Sequence, residues 1–357
     1  MPARAGAVLL VSLLLPGFGT IEGGGQHREH ERITRAALAC PAGRGPDAGC
    51  FQPVSMDQLA GDGRGFGAVG APDRTEVSVP AAHCDDADFL AGDYPRTRDQ
   101  ATATIGDCVA HLRRRFQEAV RNAGALLDEQ GGVIAAEARL DTACRLEEHG
   151  ESRAKCTALE SFGRALHGVQ DFYAHSSWAD EADPARPIGA DNPPGLNRPA
   201  PSPVLDLRGT GAPSVPHDLS TGCFVLQDRV PGVGNCERRV THAALNKDNG
   251  LIDPVSGSVT SPGTPRGQVG RNFEKAVTGA IVETRHQWQE LRDALRGEYG
   301  ARRASMMTCA LTRDDPADDC RGAGVGRTVA WVLVVLILFL GFAALLLRWR
   351  GRRRRFR

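Results

Sequence analysis

Twenty consecutive residues from Thr328 to Leu347 carry no charge, and seven of the last ten residues of the chain are arginine. At 1.5 Å rise per residue such a run forms a helix of about 30 Å, the thickness of a bilayer core. The arginines that follow are a stop-transfer and positive-inside signal. A second apolar run, residues 5–15, follows Arg4 and precedes the small residues Gly17 and Gly19, the layout of a secretory signal. Together these runs predict a signal peptide over 1–20, an extracellular body over 21–309, a stalk over 310–327, a transmembrane helix over 328–347 and a basic cytoplasmic tail over 348–357. The chain is thereby expected in the cell membrane as a single-pass type I protein, with the lipid bilayer as its first partner. The composition of 310–326, with DDPADD and GAGVG, predicts a stalk without regular structure.

The formal net charge of zero hides an asymmetry. Setting aside the seven arginines of the last ten residues together with Arg4 and Arg327, which flank the apolar runs, leaves 34 basic residues against 43 acidic ones, a body of about −9. A body of that sign excludes electrostatic binding of nucleic acid. All ten cysteines lie between the two apolar runs, and none of their spacings is CxxC. An even number in an exported chain predicts structural disulfides rather than a cysteine zinc ribbon or a redox motif. Pairing neighbours in order gives 40–50, 84–108, 144–156, 223–236 and 309–320, each closing a short loop.

Hydrophobic periodicity in the body is helical, and the fold class is mainly α. Helices are expected near 27–39, 97–129, 133–148, 153–178, 238–247 and 270–297. In the last of these Phe273, Val277, Ile281, Thr284 and Trp288 form one core-facing stripe. The Pro/Gly-rich stretches 41–82, 183–235 and 250–269 read as long loops pinned by disulfides.

The chemistry concentrates in GRALHGVQDFYAHSSWAD, where His167, Asp171 and His175 recur every four residues and share one helix face. Imidazole and carboxylate donors on one face suit zinc or a similar divalent ion, with Asp171 placed to bridge two of them. Read alone, H-x-x-x-D-x-x-x-H also describes a polar face or hydrogen-bonded core histidines. His30 lies in an amphipathic helix with Ile33, Ala37 and Leu38 facing inward. His83 opens HCDDADF, whose Asp85, Asp86 and Asp88 offer oxygen ligands or acceptors. His242 lies in RVTHAALNKDNG, with Asn246 one turn later and Asp248 beyond.

These elements, above all LHGVQDFYAHSSW with THAALNKD, resemble the zinc-dependent phospholipase C and P1 nuclease superfamily, in particular its Het-C-like branch, over about residues 27–300. TGCFV, NPPGLN and THAALNKDNGLIDP extend the likeness to a group of exported proteins labelled CinY-like. The resemblance implies a helical domain holding one to three zinc ions in a cleft and hydrolysing phosphate esters, phospholipids among them. By position it makes His30 the ligand near the N-terminus, His83 the loop ligand, His167 and Asp171 the central pair, and His175 and His242 ligands of a second metal. Three features depart from the family pattern. No Trp lies between the signal and His30, Asn246 stands where a carboxylate is expected so that Asp248 must reach instead, and only three residues separate Asp171 from His175. One or two metals are then expected rather than three. Such metals would lower the pKa of a water toward neutrality for attack on phosphorus, with Asp73 or Asp86 as the general base. Phe172, Tyr173 and Trp178 lie beside the metal helix, either as a headgroup pocket or as packing. The alternative is a non-catalytic cell-surface interaction module with a structural or degenerate metal site.

Overall fold

A computed structural model describes residues 20–23, 25–41, 49–146, 152–224 and 236–321. Residues 1–19, the apolar run 328–347 and the basic tail lie outside the described residues, and with them almost all of the expected signal and the whole expected membrane span. Among the described residues no helix is long and apolar enough to cross a membrane.

The body is mainly α and is organised around one buried helix. Of the 22 residues in Ala154–His175, 20 are buried, so this helix is core on every side rather than amphipathic. Arg98–Gly124 packs along one flank and Asn272–Thr312 along another, while Glu29–Leu38 lies against the latter. The flanking helix begins with a capping box, Thr97 and Gln100 each accepting from the other's backbone amide. The stripe Phe273, Val277, Ile281, Thr284 and Trp288 is buried, as its spacing predicts. That helix does not stop near 297. Gly300 breaks it with φ 78° and ψ 159°, and the helix resumes to Thr312. Among the described residues β structure amounts to isolated bridges and two short antiparallel ladders, Glu22–Gly23 with Gln26–His27 and Leu251–Ile252 with Val259–Thr260.

The stretch 41–82 departs most from expectation. Within it lie Pro53–Ala60 and the single turns Gly67–Gly70, Pro72–Thr75 and Pro80–His83. Each of Pro53, Pro72 and Pro80 opens its helical segment, where a missing amide proton costs nothing. Conversely, among the described residues the helix expected over 133–148 is limited to Ala135–Ala138, and that over 238–247 to His242–Leu245. All five disulfides pair neighbours in order, and among the described residues no cysteine is free.

The first part of the expected stalk belongs to the body. Leu311, Thr312 and Arg313 are buried, and the Cys309–Cys320 disulfide closes a turn at Pro316–Asp319. The Asp314 carboxylate accepts from the amides of Val54 and Ser55 at 3.1 and 2.7 Å, capping helix Pro53–Ala60 from outside its own segment. The segment is expected to be a stalk without regular structure, but its Asp314 serves as a cap. Beneath it the Lys155 ammonium donates to Ser55 Oγ at 2.9 Å and to the Arg313 carbonyl at 2.5 Å. Burial pulls its pKa down to about 7, against the weaker pull of Asp314. A depressed base binds fewer protons folded than unfolded between about pH 7 and 10.5, so folding stability rises with pH through that window, by at most roughly 1.4 kcal/mol per unit. Denaturant unfolding of wild type and Lys155→Met at pH 7 and 9.5 is expected to show wild type gaining on the variant at the higher pH. A pH-independent difference would contradict the buried ammonium.

Candidate metal centre

His167, Asp171 and His175 follow one another by a helical turn each on the central helix, and other segments bring partners to them. His83 Nδ1, His167 Nε2 and Asp171 Oδ2 form a triangle with edges of 2.9, 2.9 and 3.0 Å. Neighbouring ligands around an ion with bonds of about 2.1 Å stand about 3.0–3.4 Å apart. His30 Nε2 is 3.3 Å from Asp171 Oδ1. Asp73 Oδ1 lies 3.6 Å from His167 Nε2 and 4.0 Å from His83 Nδ1, and its other oxygen accepts from the Thr20 hydroxyl.

The surroundings fix which nitrogen of each ring carries the proton. Gln170 donates its amide to the Thr34 and Thr284 hydroxyls, so its Oε1 accepts from His30 Nδ1 at 2.8 Å. The Val69 carbonyl accepts from His167 Nδ1 at 2.9 Å, and the Glu76 carbonyl from His83 Nε2 at 3.3 Å. Each ring therefore turns its lone pair inward, and the three lone pairs converge on two carboxylates. Lone pairs and anions repel one another unless a cation lies among them. The field has the same sense: burial opposes charge on His83, yet Asp171 and then Asp73 and Asp85 hold its pKa up to about 9. His175 is likewise raised, Asp248 and Asp171 outweighing its burial.

A second group adjoins the first. One donor atom from each of Asp85, His175 and His242 lies within 4.8 Å of the others, and the His175 and His242 ring centres are 4.0 Å apart. Asp248 Oδ1 is 2.9 Å from His175 Nε2, which stands 4.0 Å from Asp171 Oδ1. Both oxygens of Asp85, Oδ1 of Asp171, Nδ1 of His175 and Oδ2 of Asp248 are buried without a hydrogen bond. So many orphaned polar atoms in one place fit a divalent cation, because burying them unsatisfied is expensive. A third carboxylate group, Asp86 and Asp88 beside Cys223, offers no comparable site. Cys223 is bonded to Cys236, and Asp88 is held by Tyr94, Arg96 and Arg239.

Of the residues singled out in the sequence, His30, Asp73, His83, His167 and Asp171 come together in one group, and His175, His242 and Asp248 in the next. Asp86 joins neither. Its Oδ1 accepts from the Phe224 amide at 3.0 Å, and its side chain lines a separate cavity of about 690 Å³ with Arg96, Asp107 and Arg239. The cause is local: Cys84 and Asp86 have φ of 55° and 64°, and these left-handed residues on either side of Asp85 send the two aspartates to different places. Asp85, rather than Asp86, therefore lies beside His175 and His242. Asn246 does not face the rings as a ligand; its Oδ1 accepts from the Asp248 amide at 2.7 Å and builds the turn that delivers Asp248. Phe172, Tyr173 and Trp178 are core, with the Tyr173 hydroxyl on Glu283 and the Trp178 indole on the Pro199 carbonyl, so they form no headgroup pocket. Gln170 and the Val69 and Glu76 carbonyls have no ligand signature in the sequence; only the Gln in HGVQD, one residue before Asp171, hints at a role. Comparison with protein-family models, curated proteins and solved structures finds no match to this chain.

Proposed function

We propose that the chain is an exported, membrane-anchored hydrolase of phosphate esters working at paired divalent ions, of the zinc-dependent phospholipase C and P1 nuclease type. The observation that carries this reading is the donor set: two adjoining groups of histidine and aspartate, meeting at Asp171, in a chain whose cysteines are paired in disulfides. Closed structural zinc sites draw chiefly on thiolates, whereas hydrolytic sites draw on imidazole and carboxylate. Zinc held there supplies Lewis acidity toward a phosphoryl oxygen and makes a bound water more acidic. His30, Asp73, His83, His167 and Asp171 are the residues that hold the first ion. Asp73 stands beside His83 and His167, while the Asp86 carboxylate accepts from the Phe224 amide. Gln170 and the Val69 and Glu76 carbonyls orient the rings and keep each in its ligating tautomer. The anchor rests on the uncharged run 328–347 and the arginines beyond it.

Burial favours a second reading, a closed and inert metal centre in a cell-surface interaction module. His30, Asp73, His83, His167, Asp171, His175, His242 and Asp248 are each at most 5 % exposed. Elemental analysis of the purified full-length chain in detergent, followed by assay with chromogenic phosphocholine and dinucleotide substrates, separates the two. Two zinc ions with turnover that chelation removes and zinc restores is the expected result. Metal without turnover would leave the interaction module, and no metal would sink both. Chelation is also expected to lower the Tm, since an ion at a thousand times its Kd stabilises by about 4 kcal/mol.

A further inference from the structure

The two half-sites hold their imidazoles differently, and the difference assigns separate roles to two aspartates. In the first half-site the outer nitrogen of each ring meets a neutral acceptor. His175 instead has a carboxylate on either side, with Nε2 at 2.9 Å from Asp248 Oδ1 and Nδ1 at 3.5 Å from Asp85 Oδ1. A neutral ring has one proton and one lone pair. The 2.9 Å contact is a hydrogen bond and places the proton on Nε2, which leaves the Nδ1 lone pair directed at Asp85. A ring nitrogen and a carboxylate face each other stably only with a shared proton or a metal ion between them, and no hydrogen bond joins these two. Nδ1 and both Asp85 oxygens are buried and make no hydrogen bond, so nothing else in the described structure answers them.

We propose that Asp85, His175 through Nδ1, and His242 hold a divalent cation with three protein donors, and that Asp248 is a positioning residue behind His175 rather than a ligand. The proposal rests on the metal-centre reading but not on phosphate-ester hydrolysis. The chain supplies the anionic ligand from the loop that carries His83, and the position one turn after His242 is freed to shape a turn. Lys247 fastens that turn. Its amide donates to the Ala174 carbonyl at 3.1 Å, and its buried ammonium donates to the Ser176 and Leu245 carbonyls and to Asp180. His242 and Asp248 are thereby held against the end of the central helix from which His175 projects.

The two half-sites then differ in kind. Five residues surround the first ion, whereas three donors leave the second with a coordination position for water or an exogenous ligand. The second ion is the exchangeable one. Its class is a divalent metal tolerant of mixed nitrogen and oxygen donors, zinc or cobalt(II).

The test is a binding isotherm on the chelator-stripped full-length chain in detergent, titrated with cobalt(II) and read by calorimetry and by the visible spectrum of the bound ion. Wild type is expected to show a tight class and a weaker class. Asp85→Asn is expected to lose the weaker class and keep the tight one, which also reports that the variant has folded. Asp248→Asn is expected to keep both classes and weaken the second by about 10- to 100-fold, the usual effect of removing a carboxylate behind a ligating histidine. Two unchanged classes in Asp85→Asn, loss of both in that variant, or loss of the weaker class in Asp248→Asn as complete as in Asp85→Asn would each overturn the proposal. Because the readout is binding, a chain with the expected isotherms and no turnover keeps this assignment while sinking the hydrolase. A wild type that binds no cobalt sinks both.

Discussion

Asp171→Asn is expected to empty the first half-site, taking bound metal from two ions per chain to the one held by Asp85, His175 and His242, and to shrink the shift in Tm that chelator causes. One oxygen of this carboxylate touches His83 and His167, and the other faces His30 at 3.3 Å and His175 at 4.0 Å. The amide keeps the shape but removes the charge, and its NH₂ donates to the imidazole lone pairs that an ion would otherwise take. The metal-free variant is expected to be no less stable than metal-free wild type, since an uncompensated buried anion has been removed. Metal analysis and paired melts with and without chelator check this. A variant that keeps both ions would show that Asp171 does not hold the first one.

The second large effect comes from a residue that touches no metal. A Cβ on Gly163 would lie 2.4 Å from Ala68 Cβ, 2.6 Å from the Ala68 carbonyl carbon and 2.8 Å from the Val69 amide nitrogen. Two of those three atoms are backbone, so no rotamer change relieves the contact. Gly163→Ala is expected to destabilise the fold by about 2–3 kcal/mol, overpacking outweighing the better helix propensity of alanine. It also pushes away the Val69 carbonyl that fixes the His167 tautomer, and the affinity of the tight class should fall about 10- to 100-fold. Gly106→Ala is the control. It sits in Arg98–Gly124 with open space around its Cβ position, and the same change there should stabilise by up to about 1 kcal/mol. Denaturant unfolding of the two variants beside wild type decides it, and equal effects would show that the close approach at Gly163 is unimportant.

These two glycines illustrate what the sequence could and could not reveal. The face shared by His167, Asp171 and His175 is legible because a helix has a fixed period, and the disulfides because short loops favour neighbours. The central helix is legible as a helix but not as one buried on all sides. That burial depends on turns such as Gly67–Gly70, which proline and glycine disguise as loop. Asp85 and Asp86 are adjacent and chemically identical, and only the left-handed backbone at Cys84 and Asp86 separates their roles. Backbone carbonyls, which orient two of the rings, are present at every residue and so carry no pattern at all. Asn246 misleads for a related reason: it occupies a ligand's place in the sequence while serving as a hinge for Asp248.

The clamp at the end of the body has a mechanical meaning. A pull on the chain beyond Arg321 does not peel residues one at a time from the long helix, because the Cys309–Cys320 bond shunts the load across an 11-residue separation directly to Cys309. The segment inside that loop is tied at Asp314 to the amides of Val54 and Ser55, and at the Arg313 carbonyl to Lys155. Lys155 is the second residue of the helix that ends at His175. Tension applied at Arg321 is therefore shared by the helix that carries His167, Asp171 and His175, and the body resists unravelling from this end as one piece.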